Sequence, residues 1–218
     1  MRAARSYRFL LGRVAAALLL VSGAASAQGS APDDEGAYVP KTERRGDFTL
    51  GASAGLLVGN ATGYPNEVGK IDNSAYVADP GPGVGYHYTV WLGGALRDWF
   101  TFALGLDGLS YQRRGMDVAG TGFVFRVEVF PLFDAFPQGR DLGLYGSVGL
   151  GGLTIKEGSE TRADGGAMSL VGLGAFYEPL RFGSFSAGPM VEYQQLFSQT
   201  VNMQSATAGM RLAFYAAP

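Results

Sequence analysis

Phe100 to Asp107 reads FTFALGLD, and Phe123 to Phe130 reads FVFRVEVF. In the first stretch Phe100, Phe102, Leu104 and Leu106 are large and apolar, whereas Thr101, Ala103, Gly105 and Asp107 between them are small or polar. The second sets Phe123, Phe125, Val127 and Val129 against Val124, Arg126, Glu128 and Phe130. A period of two is that of a β-strand whose faces meet different surroundings. Outward from these stretches the same texture runs from Asp47 to the end of the chain, punctuated by Gly, Pro, Asn and Asp. Eight segments stand out, at about 48–58, 86–96, 99–111, 121–132, 142–155, 167–178, 185–197 and 206–215. No segment has a helical period, and each is about as long as the 9–11 residues with which a tilted strand crosses a bilayer.

Two all-β architectures share this pattern and place the apolar face on opposite sides. A soluble barrel turns it inward, and a transmembrane barrel turns it to lipid. The opposite face decides between them. It is rich in glycine (Gly51, Gly55, Gly143, Gly149, Gly151) and carries single charges at Asp107, Arg126, Glu128, Glu192 and Arg211. A solvated strand face would be thick with Lys, Glu, Thr and Gln, and exposed glycine weakens a strand. Small side chains suit a crowded interior instead. The expected fold is therefore an eight-stranded antiparallel up-and-down transmembrane β-barrel, with a soluble exported barrel as the rival. With the last turn centred near Val201 or Asn202, Glu192 stands level with Arg211 as a lumenal ion pair, which Arg126 and Glu128 extend into a network. Pro189 inside the seventh segment predicts a bulge. Phe48, Trp99, Phe100, Phe130, Tyr177, Phe185, Phe214 and Tyr215 gather near one end as an interfacial girdle.

The N-terminus has a different composition. Arg2, Arg5 and Arg8 precede an apolar stretch with VAAALLLV, Val14 to Val21, and the small residues Ala25 to Ala27 follow. This is the order of a cleaved secretory signal over residues 1–27. Residues 28–46 are polar, acidic and aperiodic, the composition of a disordered segment, and the barrel is expected over 47–218. Residues 1–27 hold four Arg and no acid, so the remainder has 13 basic against 19 acidic residues, a net charge of −6. That balance argues against nucleic acid as a partner. Cys is absent, which excludes disulfides and thiolate metal sites.

The chain closes on TAGMRLAFYAAP, Thr207 to Pro218. Thr207, Gly209, Leu212 and Phe214 fit a polar, glycine, hydrophobic, aromatic spacing that resembles the assembly signal on the last strand of bacterial outer-membrane barrels. With the strand texture and length, the region 47–215 resembles the small eight-stranded outer-membrane barrel family, that of the outer-membrane protein A barrel domain. The family commonly ends on the aromatic, whereas Ala216, Ala217 and Pro218 follow here. The resemblance implies location in the bacterial outer membrane, with membrane lipid and the barrel-assembly machinery as partners.

Catalytic chemistry is thinly represented. His87 is the only histidine, so an imidazole metal cluster is excluded by count, and no cofactor motif is present. GSVGLGGLT, Gly146 to Thr154, lacks the third glycine and the following helix of a dinucleotide fingerprint. Thr89 stands where a lipid-cutting barrel with a His-x-Ser arrangement would place its serine. The expected function is non-enzymatic, structural or surface-interacting, with a narrow solute channel as the alternative. The long loop 59–85 is the candidate contact for an external partner.

Overall fold

The computed structural model describes residues 44–217. The expected signal over 1–27 and the acidic segment as far as residue 43 lie outside the described residues. Ten strands follow in order: β1 (Gly46–Gly63), β2 (Gly83–Arg97), β3 (Phe100–Arg113), β4 (Met116–Val129), β5 (Leu142–Glu157), β6 (Glu160–Asp164), β7 (Met168–Tyr177), β8 (Leu180–Phe182), β9 (Phe185–Phe197) and β10 (Val201–Ala217). Each long strand pairs antiparallel with the next, and β10 pairs with both β9 and β1. The sheet therefore closes into a barrel of eight long strands, with β6 extending the β5 hairpin and β8 lying against β9. Closure leaves none of the eight long strands as an edge of the sheet, the condition for strands to stand in lipid.

The alternation faces as expected. In β3, Thr101, Ala103, Gly105 and Asp107 are buried in the lumen, and Leu104 and Leu106 point outward. Around the wall Leu56, Val84, Leu106 and Leu150 are 64–71% exposed, and the exposed charges on the long strands sit near their ends, at Asp47, Arg97, Arg113, Lys156 and Glu157. A continuous apolar belt of this size is far beyond what a soluble monomer exposes to water. It meets hydrocarbon instead.

Several expectations need correction. Arg44, Arg45 and Gly46, assigned to the disordered segment, belong to the barrel, because the Arg44 and Arg45 amides donate to Asp98 Oδ1 at 2.6 and 2.8 Å. β1 and β10 run further than the apolar pattern did. Beyond the belt their outward residues become Asn60, Thr62, Asn202 and Gln204, while the ladder pairing continues. The first loop is correspondingly shorter than 59–85, and Gly63 bridges to Ala78 across its base. β4 ends at Val129 rather than 132, because Pro131 has no N–H to donate and the Phe133 N–H turns back to the Phe130 carbonyl at 3.1 Å.

The bulge expected at Pro189 is not in β9, whose register with β10 is unbroken. It lies in the chain opposite. Phe176 pairs with Met190 and Leu180 with Ala187, so Tyr177, Glu178 and Pro179 oppose only Gly188 and Pro189. The ladder is interrupted beside the residue that cannot donate to it. Of the aromatic girdle, Phe48, Trp99, Tyr177 and Phe185 face outward, but Phe130 and Tyr215 are 1% exposed and point into the lumen. At the end that carries the termini, residues 130–141 form a long connection, whereas at the other end Arg114 and Gly115, with φ of 51° and 75°, make a two-residue turn between β3 and β4.

Candidate functional site

All five charges expected in the lumen are there, each no more than 6% exposed. Their partners are not the expected ones. Glu192 is level with Thr207, and Arg211 with Gly188, so the Glu192–Arg211 pair does not form. The reason is the last turn, which is tighter and earlier than a centre at Val201. The Thr200 and Val201 amides donate to Ser198 Oγ at 3.2 and 3.1 Å, and the Ser198 N–H closes on the Val201 carbonyl at 2.8 Å.

The charges instead form two groups. In the first, Arg211 donates to both oxygens of Glu128 at 2.8 and 3.1 Å, Arg126 Nε donates to Glu128 Oε1 at 2.8 Å, and Thr101 donates to Glu128 Oε2 at 3.1 Å. Arg211 Nε also lies 2.9 Å from Glu178 Oε1. Tyr215 donates to Glu178, and Arg45 Nη2 stands 3.6 Å from the same carboxylate. At the rim below, Arg44, Arg45 and Arg181 converge on Asp141 Oδ1 at 3.0, 3.2 and 3.4 Å. The second group is uncharged or acidic apart from His87. His87 Nε2 lies 2.7 Å from Asp107 Oδ2, which also accepts from Thr89, while Gln194 donates to Asp107 Oδ1 at 3.1 Å. Tyr145 donates to Glu192 Oε2 at 2.8 Å, and His87 Nδ1 is 3.9 Å from that oxygen.

Aromatic rings fill the space between these groups. The Arg126 guanidinium stacks 3.5 Å from the Tyr145 ring centroid, Arg211 lies 3.6 Å from that of Phe176, and Arg45 lies 3.5 Å from that of Phe130. Trp91 faces both Arg126 and Arg211. Cation–π contact of this kind is strongest where water is excluded. The lumenal glycines explain how such rings fit. A Cβ at Gly51 would stand 2.2 Å from the Trp91 indole, one at Gly174 2.2 Å from the Tyr145 ring, and one at Gly143 2.1 Å from Phe176. Absent side chains on one strand thus house large rings from its neighbour rather than leaving an open bore.

Toward the loop end the lumen becomes apolar. Leu57, Leu109, Leu153, Ile155, Met168 and Met203 belong to one buried cluster there, topped by Ala78 of the first loop. Sequence reading had assigned the lumen small and polar groups throughout. It also missed Arg45, Glu178, Trp91 and Tyr145. Trp91 and Tyr145 were legible from alternation as inward positions, whereas Glu178 beside Pro179 and Arg45 in a charged run read as solvated.

On β10, Thr207 points inward and Met210 and Leu212 outward, with Phe214 half-buried. Gly209 pairs directly with Gly55 across the closing seam, and a Cβ on it would stand 2.1 Å from the Ala54 carbonyl oxygen. Gly209, expected from the sequence to belong to an assembly signal, thus has a packing reason to be glycine. Gly209→Val is expected to lower the yield of folded barrel severalfold even in protein-free lipid vesicles, read by heat-dependent gel migration. Full refolding of that variant in vitro, with a defect only in cells, would assign Gly209 to machinery recognition alone.

A closed antiparallel barrel of eight long strands, belted by apolar side chains and filled with polar and aromatic ones, is the fold of the small bacterial outer-membrane β-barrels. No protein-family model matches the sequence, and no curated protein matches it. Among solved structures the chain is similar to Neisserial surface protein A, with a TM-score of 0.51 and 13% identity over 77% of this chain and 96% of that one. It is also similar to Ail, the attachment invasion locus protein of Yersinia pestis, at a TM-score of 0.49 and 11% identity over 78% and 99%. For the outer membrane protein OprG of Pseudomonas aeruginosa the values are 0.43 and 11%, over 81% and 100%. At such identities the likeness is one of fold.

Proposed function

We infer that the protein is a non-enzymatic outer-membrane barrel that is closed to solutes and serves the envelope as a structural or surface-interacting element. The observation that carries this reading is the filling of the lumen in three successive layers: arginine and aromatic rings near the termini, paired charges at mid-height, and an apolar cluster at the loop end. A hydrated path would have to open all three. The loop between β1 and β2 is the proposed contact for an external partner. Val68, Tyr76 and Val77 on it are 94, 43 and 42% exposed, while the Tyr64 N–H bonded to the Thr200 carbonyl at 2.9 Å holds its base.

Planar-bilayer recording of the refolded protein tests the reading. Insertion without steady current is the expected result, and Glu192→Ala is expected to leave that silence unchanged. A steady current that Glu192→Ala alters would instead make the barrel a narrow channel with the charged layer as its filter.

A further inference from the structure

Two small residues hollow the outward face of β10. Ala206 and Ala208 form the floor of an apolar groove of about 740 Å³. Tyr193 and Val191 of β9 stand level with them on one side, and Val58 and Leu56 of β1 on the other. Met210, 54% exposed, is the next outward residue of β10 toward the termini. A second hollow continues from Val58, Tyr193 and Ala206 toward the loop end, past Asn60, Gln204 and Pro82. There the chemistry changes within one row. Asn60, Gln204 and Gln195 stand side by side on β1, β10 and β9, and Gln195 Nε2 donates to Asn202 Oδ1 at 3.2 Å. Four carboxamides therefore cap the groove, with no ionised side chain among them.

We propose that this face holds one molecule of a lipid with an uncharged, hydroxyl-bearing headgroup, an acyl chain lying along β10 and the headgroup on the four carboxamides. The site goes beyond the closed barrel argued above and rests on its membrane-embedded wall. Gln204 and Met210 are six residues apart, roughly 20 Å along the strand, comparable with the ~15 Å depth of one leaflet's hydrocarbon. Ala206 and Ala208 lie between the larger Leu56, Val58, Val191 and Tyr193 in a shallow, open groove, along which a chain of methylenes can lie. A carboxamide both donates and accepts, as hydroxyls require. A phosphate headgroup would call for Arg or Lys, which this row lacks.

The test is native mass spectrometry of the protein purified from membranes. Monoglucosyl diacylglycerol, phosphatidylethanolamine or phosphatidylglycerol, with matched acyl chains, is added to the detergent micelles. The expected result is a one-to-one adduct that favours the glucolipid. Ala208→Phe, which fills the groove from its floor, is expected to weaken that adduct about tenfold, the loss of roughly two methylene contacts. The double variant Asn60→Leu, Gln204→Leu is expected to abolish the preference among headgroups while keeping the adduct. Equal adducts for all three lipids in the wild-type protein would overturn the proposal without any variant. So would an adduct indifferent to Ala208→Phe, or a protein dimer in place of a lipid adduct. Heat-dependent gel migration separates the two readings: wild-type protein without the shift overturns the barrel itself, and with it the site.

Discussion

Replacing Arg211 by Leu is expected to cost the folded barrel about 3–5 kcal/mol, the range for removing one partner of a buried ion pair. Arg211 is 2% exposed and joins two carboxylates, Glu128 and Glu178, that are themselves buried. Without it Glu128 keeps Arg126, but Glu178 is left with Arg45 at 3.6 Å and the Tyr215 hydroxyl at 3.2 Å. An uncompensated buried charge is worse than no charge, so adding Glu178→Gln to Arg211→Leu is expected to recover part of the loss. Reversible urea unfolding in lipid vesicles measures both, with Trp91 beside Arg211 as the fluorescent reporter. An unchanged midpoint in the single variant would show that the cluster contributes nothing to stability. Arg211→Lys is expected to fall between, because a point charge cannot bridge Glu128 bidentately.

Trp91→Ala is expected to have a comparable effect, about 3–5 kcal/mol for truncating a buried Trp. The indole is 2% exposed and carries the contact between the two guanidiniums and the glycine-lined wall at Gly51. The variant leaves a cavity at mid-height, yet the apolar cluster nearer the loops remains. Destabilisation without a leak current is therefore expected. A loss below about 1 kcal/mol would mean that the neighbouring rings collapse into the space. A steady current in the variant would show that Trp91, and not the apolar layer, is the seal.

Much of the fold was legible in the sequence because one rule, large apolar residues outward, holds over the height of the belt. Phe102, Leu104, Val127 and Phe125 obey it, and so do the lumenal Arg126 and Glu128 between them. Above the belt the rule inverts. Leu57 and Ala61 of β1 point inward while Asn60 points outward, and Leu153 and Ile155 of β5 point inward while Lys156 points outward. There the wall meets water, and the barrel follows the pattern of a soluble one. A reading that kept one rule throughout stopped β1 and β10 short, and so misplaced the last turn. That shift alone paired Glu192 with Arg211 on paper. The true partner of Arg211 on the far wall, Glu128, is separated from it by strands β5 to β9 along the sheet. No local pattern marks a contact made across a lumen. The places of Arg126, Glu128 and Arg211 in the charge cluster were thus readable from the face each occupies, whereas Glu178 and Arg45 lie outside the strands, and the pairing depends on the bore and stagger of the closed barrel.

The height at which the wall changes its pattern also fixes how thick a membrane the protein matches. On β1 the outward apolar positions run from Phe48 to Val58, about 33 Å along the strand, and the usual tilt of such strands reduces this to roughly 25 Å across the bilayer. That is less than the ~30 Å hydrocarbon core of an ordinary bilayer. Lipids of ordinary length must compress where they touch this wall, at a small cost for every ångström of mismatch. The same side chains that choose lipid over water therefore also favour a thin membrane over a thick one.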